Sequence, residues 1–339
     1  MFSREQYDAL RKGAGTFARE DRRVIGLSGS DRLTYLQGLL TNDIAALTPG
    51  TGCYAALLTA QGRMIADMRV LETGERVLID LHKDAAPPVK DKLEQFIFSE
   101  DVQVEDLTGR LAVIGVYGPQ AATIAVRAFD SHESLDSLVL FENRGLATTS
   151  AGPITIVRSD DLGVDGFDIL VDKGTAAAVM GALERAGAIP VGHDTAEITR
   201  VEAGRPAWHQ DMDETTIPLE AGIEDRAISL TKGCYVGQEI IIRVLHRGHG
   251  RVAKRLVGLR MTAKDVVPGP GDAIRAGDRE VGAVTSAVFS PAAQGPLALG
   301  YVHRDFVEPS TALAILHDGQ MLDATVIDRP LGEILQQPD

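Results

Sequence analysis

The sequence predicts an α+β protein whose carboxy-terminal part is all-β. Up to about residue 245, short strand-like apolar runs are mixed with apolar residues at helical spacing. After that point the chain holds only short β-rich runs separated by Gly/Pro turns, which is typical of a small β-barrel. With 339 residues the chain is too long for one ordinary core. We therefore expect two domains, residues 1–245 and 246–339.

The amino-terminal part supplies strands and helices in alternation. The predicted strands are Val24–Leu27, Tyr54–Thr59, Met64–Leu71, Arg76–Leu81, Val102–Leu107, Leu111–Tyr117, Ile154–Arg158 and Phe167–Val171. The predicted helices are a segment before Glu20, one through Leu33, Leu36 and Leu40, Asp84–Phe98, Ala121–Phe129 and one that begins at Asp194. Residues 130–150 have no regular pattern. The predicted barrel strands are Leu256–Leu259, Val281–Phe289, Leu297–Val302, Ala312–Leu316 and Met321–Ile327.

Composition narrows the class of protein. Hydrophobic residues make up 44% and charged residues 24%, as expected of a folded chain. The start has no signal-peptide core and no run of eighteen apolar residues follows, so we expect a cytoplasmic protein without a membrane partner. Only Cys53 and Cys234 are cysteines, which indicates a reducing compartment. Without a C-x-x-C pair we expect no metal site.

The charge is strongly acidic but unevenly distributed. With 48 acidic against 34 basic residues the net charge is −14, which disfavours direct, tight binding of nucleic acid. One segment from Ile240 to Lys264 nevertheless contains no acid. Its basic residues are Arg243, Arg247, Arg251, Lys254, Arg255, Arg260 and Lys264.

The stretch Thr231–Arg243 reads T-K-G-C-Y-V-G-Q-E-I-I-I-R, and its glycines predict a shaped loop that runs into an apolar strand. Lys232 stands two residues before Cys234, where a cation can lower the pKa of a thiol. The residues leave two interpretations open. Cys234 is either a reactive thiol or a small hydrophobe packed in a turn.

Two carboxylates lie in regular elements. Alternation places Asp67 on the same strand face as Arg69 and opposite Met68, which by itself favours a solvated position. Glu202 shares a helix face with Ile198, and such a glutamate is usually a solvated flank or a salt-bridge partner. The pattern of residues therefore assigns chemistry to neither.

Longer motifs change that interpretation. The string K-G-C-Y-V-G-Q-E resembles the signature of the YgfZ-type folate-binding proteins, which are relatives of the glycine-cleavage T-protein, an aminomethyltransferase. The passages G-S-D-R-L-T-Y-L-Q-G-L-L-T-N-D-I, V-T-S-A and A-L-G-Y-V resemble further parts of that family. The resemblance runs from Val24 to Ile327. It implies a bilobed folate-binding core of antiparallel sheets and helices, a carboxy-terminal β-barrel, and tetrahydrofolate or a derivative as cofactor.

The resemblance also implies the site. Asp67 ends L-L-T-A-Q-G-R-M-I-A-D-M, at the place of the aspartate that lies at folate N10 in the T-protein, and Tyr54 matches a pocket tyrosine. Glu202, in R-V-E-A-G, matches the glutamate that binds the pterin, with Arg200 as a structural or folate-binding partner. Asp67, Lys232 and Cys234 are then the expected catalytic residues.

The string Lys232–Glu239 is called the signature loop below. The basic segment begins right after it, so the first basic residues are expected near the mouth of the folate pocket. We expect Arg243, with Arg247 and Arg251, to receive the glutamate tail of the folate. A tRNA phosphate backbone is the weaker alternative.

The family is associated with the maintenance of iron–sulfur enzymes, some of which modify tRNA. The resemblance therefore implies tetrahydrofolate-dependent support of iron–sulfur client proteins. One alternative is an aminomethyltransferase or another folate-dependent C1 transferase, and another is a folate-binding scaffold without chemistry. In D-D-L-G-V-D-G-F-D-I, Val164 replaces the glutamate of the T-protein loop, which counts against aminomethyl transfer from a lipoyl arm.

Overall fold

Three β-sheets organise the described part of the chain: one of five strands, one of six, and a closed barrel of six. A computed structural model describes residues 2–131, 134–148, 151–247 and 251–329, without the side chains of residues 246 and 247. The chain divides into two compact units. The first comprises Met1–Asp160, Val164–Thr195 and Asp225–Gln238, and the second comprises Asp161–Gly163, Ala196–Glu224 and Glu239–Asp339. The predicted α+β core followed by a β-barrel is confirmed.

The strands of the two open sheets all lie in the first unit. They are β1 Gly15–Ala18, β2 Arg22–Ser28, β3 Gly52–Leu58, β4 Met64–Glu72, β5 Val77–His82, β6 Gln103–Asp106, β7 Leu111–Tyr117, β8 Asn143–Thr148, β9 Gly152–Ser159, β10 Gly166–Asp172 and β11 Ile189–Pro190. The strand order is β3-β4-β5-β2-β6 in one sheet and β11-β1-β7-β10-β9-β8 in the other.

The α-helices in the described part of the chain are mostly short. They are α1 Arg4–Lys12, α2 Arg32–Leu39, α3 Ala86–Gln95, α4 Ala121–Phe129, α5 Ala176–Arg185, α6 His193–Glu202, α7 Pro218–Ala221, α8 Glu224–Ala227 and α9 Gln238–Ile242. A π-helical turn, Arg243–Arg247, follows α9. No helix among the described residues is long and apolar enough to cross a membrane.

The two open sheets pack against each other through an apolar cluster. Its buried members are Val24, Leu71, Leu78, Leu107, Val113, Val157 and Leu170. A charged group interrupts this interior, because Arg69 on β4 pairs with Asp80 on β5 and with Asp168 on β10 of the other sheet. The face of β4 that carries Arg69 is thus turned toward protein rather than toward water.

The barrel lies in the second unit and closes in the order β12-β15-β14-β13-β16-β17. Its strands are β12 Lys254–Met261, β13 Ala273–Ala276, β14 Arg279–Ser290, β15 Gly295–His303, β16 Ala312–His317 and β17 Gln320–Ile327. Alternate side chains fill the interior, among them Leu259, Ile274 and Ile315, which are fully buried.

Three local expectations are wrong. The helix expected before Glu20 ends at Lys12, and Gly15–Ala18 of that segment form strand β1. Residues 143–148 form strand β8, which pairs only with β9 and has an exposed glycine, so its sequence alternates weakly. The isoleucine run after the signature loop forms helix α9 and not a strand. β-branched residues favour strands, but only Ile241 of this run is buried, as one face of a helix requires.

Candidate functional site

Asp67 lies in the middle of β4 with its carboxylate almost buried, at 9% exposure. The Tyr54 hydroxyl, on the neighbouring strand β3, donates a 2.9 Å hydrogen bond to Asp67 Oδ2. Asp67 and Arg69 share a strand face, and Arg69 makes its ion pairs inside the first unit. The solvated position that alternation favoured is therefore wrong, because this face of β4 opposes a second sheet.

Tyr54 is itself enclosed by residues that the sequence did not indicate. Its ring is nearly parallel to that of Phe141, with centroids 6.4 Å apart. The Arg226 guanidinium lies over both rings, 5.5 Å from the centroid of Tyr54 and 5.9 Å from that of Phe141. Arg226 also pairs with Asp160 at 2.6 Å. Phe141 falls in the segment without a regular pattern, and no sequence signal marked Arg226 or Asp160.

Lys232 is buried and fully engaged. Its ammonium donates to the carbonyl oxygens of Gln37, Leu40 and Asn42 at 2.5 to 2.9 Å, which uses all three donors of a lysine. These carbonyls lie at and just beyond the carboxy-terminal end of α2, where a cation is favoured. Burial lowers the pKa of Lys232 to about 8. The arrangement supports an anchor for the signature loop, and the expected catalytic role of Lys232 stays a prediction.

The two thiols have opposite environments. Burial raises the pKa of Cys53 to about 12, against the opposing charge of Lys232. Cys234 is exposed. Of the two interpretations of Cys234, packing as a small hydrophobe is therefore wrong. The charges of Asp43 and Cys53 act against burial and raise the pKa of Lys232.

Tyr235 and Gly237, further along the signature loop, also constrain its position. Tyr235 is buried, and burial raises its pKa to about 12. Its hydroxyl has no hydrogen-bond partner among the described residues. Gly237 has φ +84°, and a Cβ there would lie 2.5 Å from the Thr59 carbonyl oxygen, so glycine is required at this position.

Glu202 ends helix α6 in the second unit and is fully buried. The Ser290 hydroxyl, at the end of barrel strand β14, donates to Glu202 Oε1 at 2.6 Å, and the Ala292 N–H lies 3.5 Å from the same oxygen. Glu202 is therefore neither a solvated flank nor one half of a surface salt bridge. It is a carboxylate held inside the unit by polar donors.

Arg200 lies two residues earlier on α6 and is also buried. Its guanidinium pairs with Glu197 and Asp211 and donates to Gln210 and to Ser286. A further bond goes to the Arg205 carbonyl oxygen. These contacts engage every guanidinium nitrogen. Of the two roles that the resemblance implied, the geometry supports the structural one.

The basic segment is less uniform than its sequence. Arg243 is exposed in the π-helical turn, whereas the Arg247 side chain and residues 248–250 lie outside the described part of the chain. Arg255 pairs with Glu224 at 2.9 Å, and the Lys254 ammonium lies 4.5 Å from the centroid of the Tyr301 ring. Some cations of the segment are thus neutralised or packed within the second unit.

Comparison with known proteins gives concordant matches along the chain. The GCVT N-terminal domain family matches residues 2–232, and the glycine cleavage T-protein C-terminal barrel domain family matches residues 254–331. The aminomethyltransferases of Rippkaea orientalis and Synechocystis sp. are each 30% identical to this chain. The first match covers 96% of this chain and 88% of the relative, and the second covers 99% and 90%.

Among solved structures, the crystal structure of glycine cleavage system aminomethyltransferase T from Bartonella henselae superposes with a TM-score of 0.86. The match covers 96% of this chain and 88% of that one, at 23% identity. At that identity the likeness concerns the fold alone.

Proposed function

The chain belongs to the glycine cleavage T-protein family, and from this premise we propose that it binds tetrahydrofolate or a derivative and acts as a folate-dependent one-carbon transferase. Proteins of this family use tetrahydrofolate. The observation that carries the proposal is the carboxylate of Asp67, almost buried and held by the Tyr54 hydroxyl at 2.9 Å. A buried carboxylate on a rigid strand is suited to proton transfer at a bound nitrogen base.

The donor and acceptor chemistry of the chain fits a folate. A pterin presents N–H donors, which the carboxylates of Asp67 and Glu202 are able to accept. It also presents a carbonyl acceptor. The Tyr235 hydroxyl, a buried donor on the signature loop, has no partner among the described residues. Because buried polar groups are nearly always hydrogen-bonded, this hydroxyl supports a polar ligand at the signature loop.

Each of these residues has a task in the proposed function. When bound, tetrahydrofolate supplies the nitrogen atoms that carry the one-carbon group. Asp67 accepts a hydrogen bond from the ligand and exchanges a proton at its carboxylate, while Tyr54 fixes the orientation of that carboxylate. Glu202 accepts from the pterin N–H groups, and Arg243 receives a carboxylate of the tail. Arg200 holds the end of α6 in place.

The proposal is tested by isothermal titration of the protein with tetrahydrofolate, repeated on Asp67→Ala. We expect saturable binding by the wild type and weaker binding by the variant. A transfer assay with an aminomethylated lipoyl donor then measures the release of ammonia. Binding without ammonia release would exclude the aminomethyl reaction and leave other C1 donors, as Val164 in place of glutamate suggests.

A second candidate is favoured by the signature loop. We propose, as this second candidate, that the chain is a YgfZ-type protein. It would use Cys234 to support the assembly or repair of iron–sulfur enzymes, including those that modify tRNA. The supporting observation is the exposed thiol of Cys234 on a loop that Lys232 ties to three main-chain carbonyls. One cysteine cannot supply the four thiolates that an iron–sulfur cluster normally uses, so any such role is transient.

Modification of the Cys234 thiol distinguishes the one-carbon transferase from the YgfZ-type protein. In a transferase that works through Asp67, alkylation of Cys234 by iodoacetamide leaves turnover intact. In a protein of the second kind, alkylation or Cys234→Ser abolishes support of iron–sulfur enzymes in cells while tetrahydrofolate binding persists. A folate-binding scaffold would be indifferent to both treatments.

A further inference from the structure

Arg226 lies on the short helix α8, before the signature motif, and its side chain contacts the strand pair that carries Tyr54 and Asp67. Its guanidinium lies over the rings of Tyr54 and Phe141, at 5.5 and 5.9 Å from their centroids. It pairs with Asp160 at 2.6 Å. The Tyr54 hydroxyl in turn donates to Asp67 Oδ2 at 2.9 Å. These contacts form one continuous series from Asp160 to Asp67 inside the first unit.

From this series we propose that Arg226 is a positioning residue for Asp67, acting through the Tyr54 ring. The proposal rests on the proposed function of Asp67 in folate binding and transfer. A cation over an aromatic face restrains the ring and draws electron density from it. A phenol polarised in this way is a better donor, so the bond to the Asp67 carboxylate is strengthened as well as aimed.

Hydrogen bonds to the main chain hold Tyr54 and Arg226 next to each other. The Asn42 side-chain amide donates to the Tyr54 carbonyl oxygen at 2.8 Å and to the Arg226 carbonyl oxygen at 3.1 Å. The Thr41 hydroxyl donates to the next carbonyl, that of Ala227, at 2.6 Å. Because these bonds do not involve the guanidinium, replacing the Arg226 side chain should leave the backbone of both residues in place.

Phe141 provides an independent indication. It has φ +67°, in the left-handed region that an aromatic residue rarely adopts. Backbone strain of this kind persists only where surrounding contacts impose it, and it is concentrated at functional sites. The Phe141 ring stacks on Tyr54 and lies under the Arg226 guanidinium. The strained residue thus completes the enclosure of the Tyr54 ring.

The test is a double-mutant cycle on tetrahydrofolate affinity, measured by isothermal titration. Its four proteins are the wild type, Arg226→Met, Asp67→Asn and the double variant. We expect Arg226→Met to raise Kd about fivefold to tenfold in the wild type, and less than about twofold in the Asp67→Asn background. Arg226→Lys keeps a cation over the ring and should recover most of the affinity.

A matched control is available in the same unit. The Arg158 guanidinium lies over a different aromatic ring, 5.1 Å from the centroid of Phe167, and pairs with Asp165 at 3.0 Å. Arg158→Met should leave Kd unchanged. An equal loss of affinity with and without the Asp67 carboxylate would overturn the positioning role, as would Lys behaving like Met.

The same four proteins give a second cycle, from urea unfolding, that needs no ligand. We expect the unfolding free energies of Arg226→Met and Asp67→Asn to be non-additive, because the two residues are linked through Tyr54. If the wild type does not bind tetrahydrofolate, the proposed function fails, and this second cycle still decides the link. Additive unfolding free energies would refute it.

Discussion

The Tyr54 hydroxyl donates to Asp67 Oδ2 at 2.9 Å, and this bond ties strand β3 to the carboxylate on strand β4. In the register of the two strands Tyr54 faces Arg69 and Ala56 faces Asp67, so the bond is diagonal across the pair. Such diagonal neighbours are within reach of long side chains. The bond therefore depends on the register of the sheet and not on sequence separation.

Tyr54→Phe removes this bond while keeping the ring that packs on Phe141. A hydrogen bond to a charged group contributes roughly 1.5–3 kcal/mol, so we expect the free energy of unfolding to fall by about that amount. We also expect weaker binding of tetrahydrofolate. Urea unfolding and isothermal titration measure the two effects. An unchanged affinity would show that Tyr54 has no part in orienting Asp67.

Glu202→Gln tests the second carboxylate. The amide keeps the size of the side chain and an acceptor for Ser290, but it loses the charge and one acceptor oxygen. We expect tetrahydrofolate affinity to fall about tenfold to hundredfold, equivalent to roughly 1.5–3 kcal/mol. Ser290→Ala is the control for the internal bond. If Glu202→Gln binds like the wild type at a normal melting temperature, Glu202 does not contact the ligand.

Lys232 predicts a dependence of stability on pH. Its pKa falls from 10.5 to about 8 on folding, because burial disfavours the charged form. Between pH 8 and 10.5 the unfolded lysine keeps its proton while the folded one has lost it. The unfolded state then binds more protons, so this group raises the free energy of unfolding as pH rises through that window. Lys232→Met removes the contribution, and the difference between wild type and variant should grow with pH.

The titration of Cys53 changes the free energy of unfolding with pH in the opposite direction. Its folded pKa, raised by burial, is about 12 against an ordinary 9.0, so above pH 9 the unfolded thiol loses its proton first. The free energy of unfolding then falls with rising pH from this group, and Cys53→Ala removes the fall. Urea unfolding at pH 8, 9 and 10 separates the two slopes. A pH-independent difference between wild type and Lys232→Met would contradict the buried lysine.

Cys234→Ser separates the chemistry of the loop from ligand binding. The thiol is exposed, so the exchange of sulfur for oxygen should leave both stability and tetrahydrofolate affinity nearly unchanged. If the YgfZ-type role holds, the variant fails to support iron–sulfur enzymes in cells. Cys53→Ala is the control, since burial raises the pKa of its thiol. Full support by Cys234→Ser would exclude a chemical role for the thiol.

Arg243 predicts a preference for folates with several glutamates in the tail. Each exposed ion pair contributes about 0.2–1 kcal/mol and weakens with salt. We expect Arg243→Ala combined with Arg251→Ala to reduce the affinity for pentaglutamyl tetrahydrofolate at low salt, and the monoglutamate far less. Arg260→Ala, a cation of the same segment on β12, is the matched control. Equal affinities of the wild type for both ligands at low salt rule the tail site out.

Local pattern was sufficient for most of the fold. The predicted bounds of Leu111–Tyr117 and Ala121–Phe129 coincide with β7 and α4, because alternation and helical spacing report directly which side chains are buried. The change of composition after residue 245 predicted the barrel. The signature loop and the positions of Asp67 and Glu202 were visible as motifs, so the sequence by itself determined the relationship to the T-protein and predicted the candidate residues.

Only the tertiary structure decided what those residues contact. The Lys232 ammonium binds carbonyls about 190 positions earlier in the chain, and Glu202 is held by a serine 88 positions later. Arg226 finds its partner Asp160 across 66 positions. The physical reason is that periodicity encodes the burial of a face, whereas a hydrogen-bond partner is set by which distant strand or helix end that face meets. The same limit explains Asp67, whose strand face is polar in sequence and buried only because a second sheet covers it.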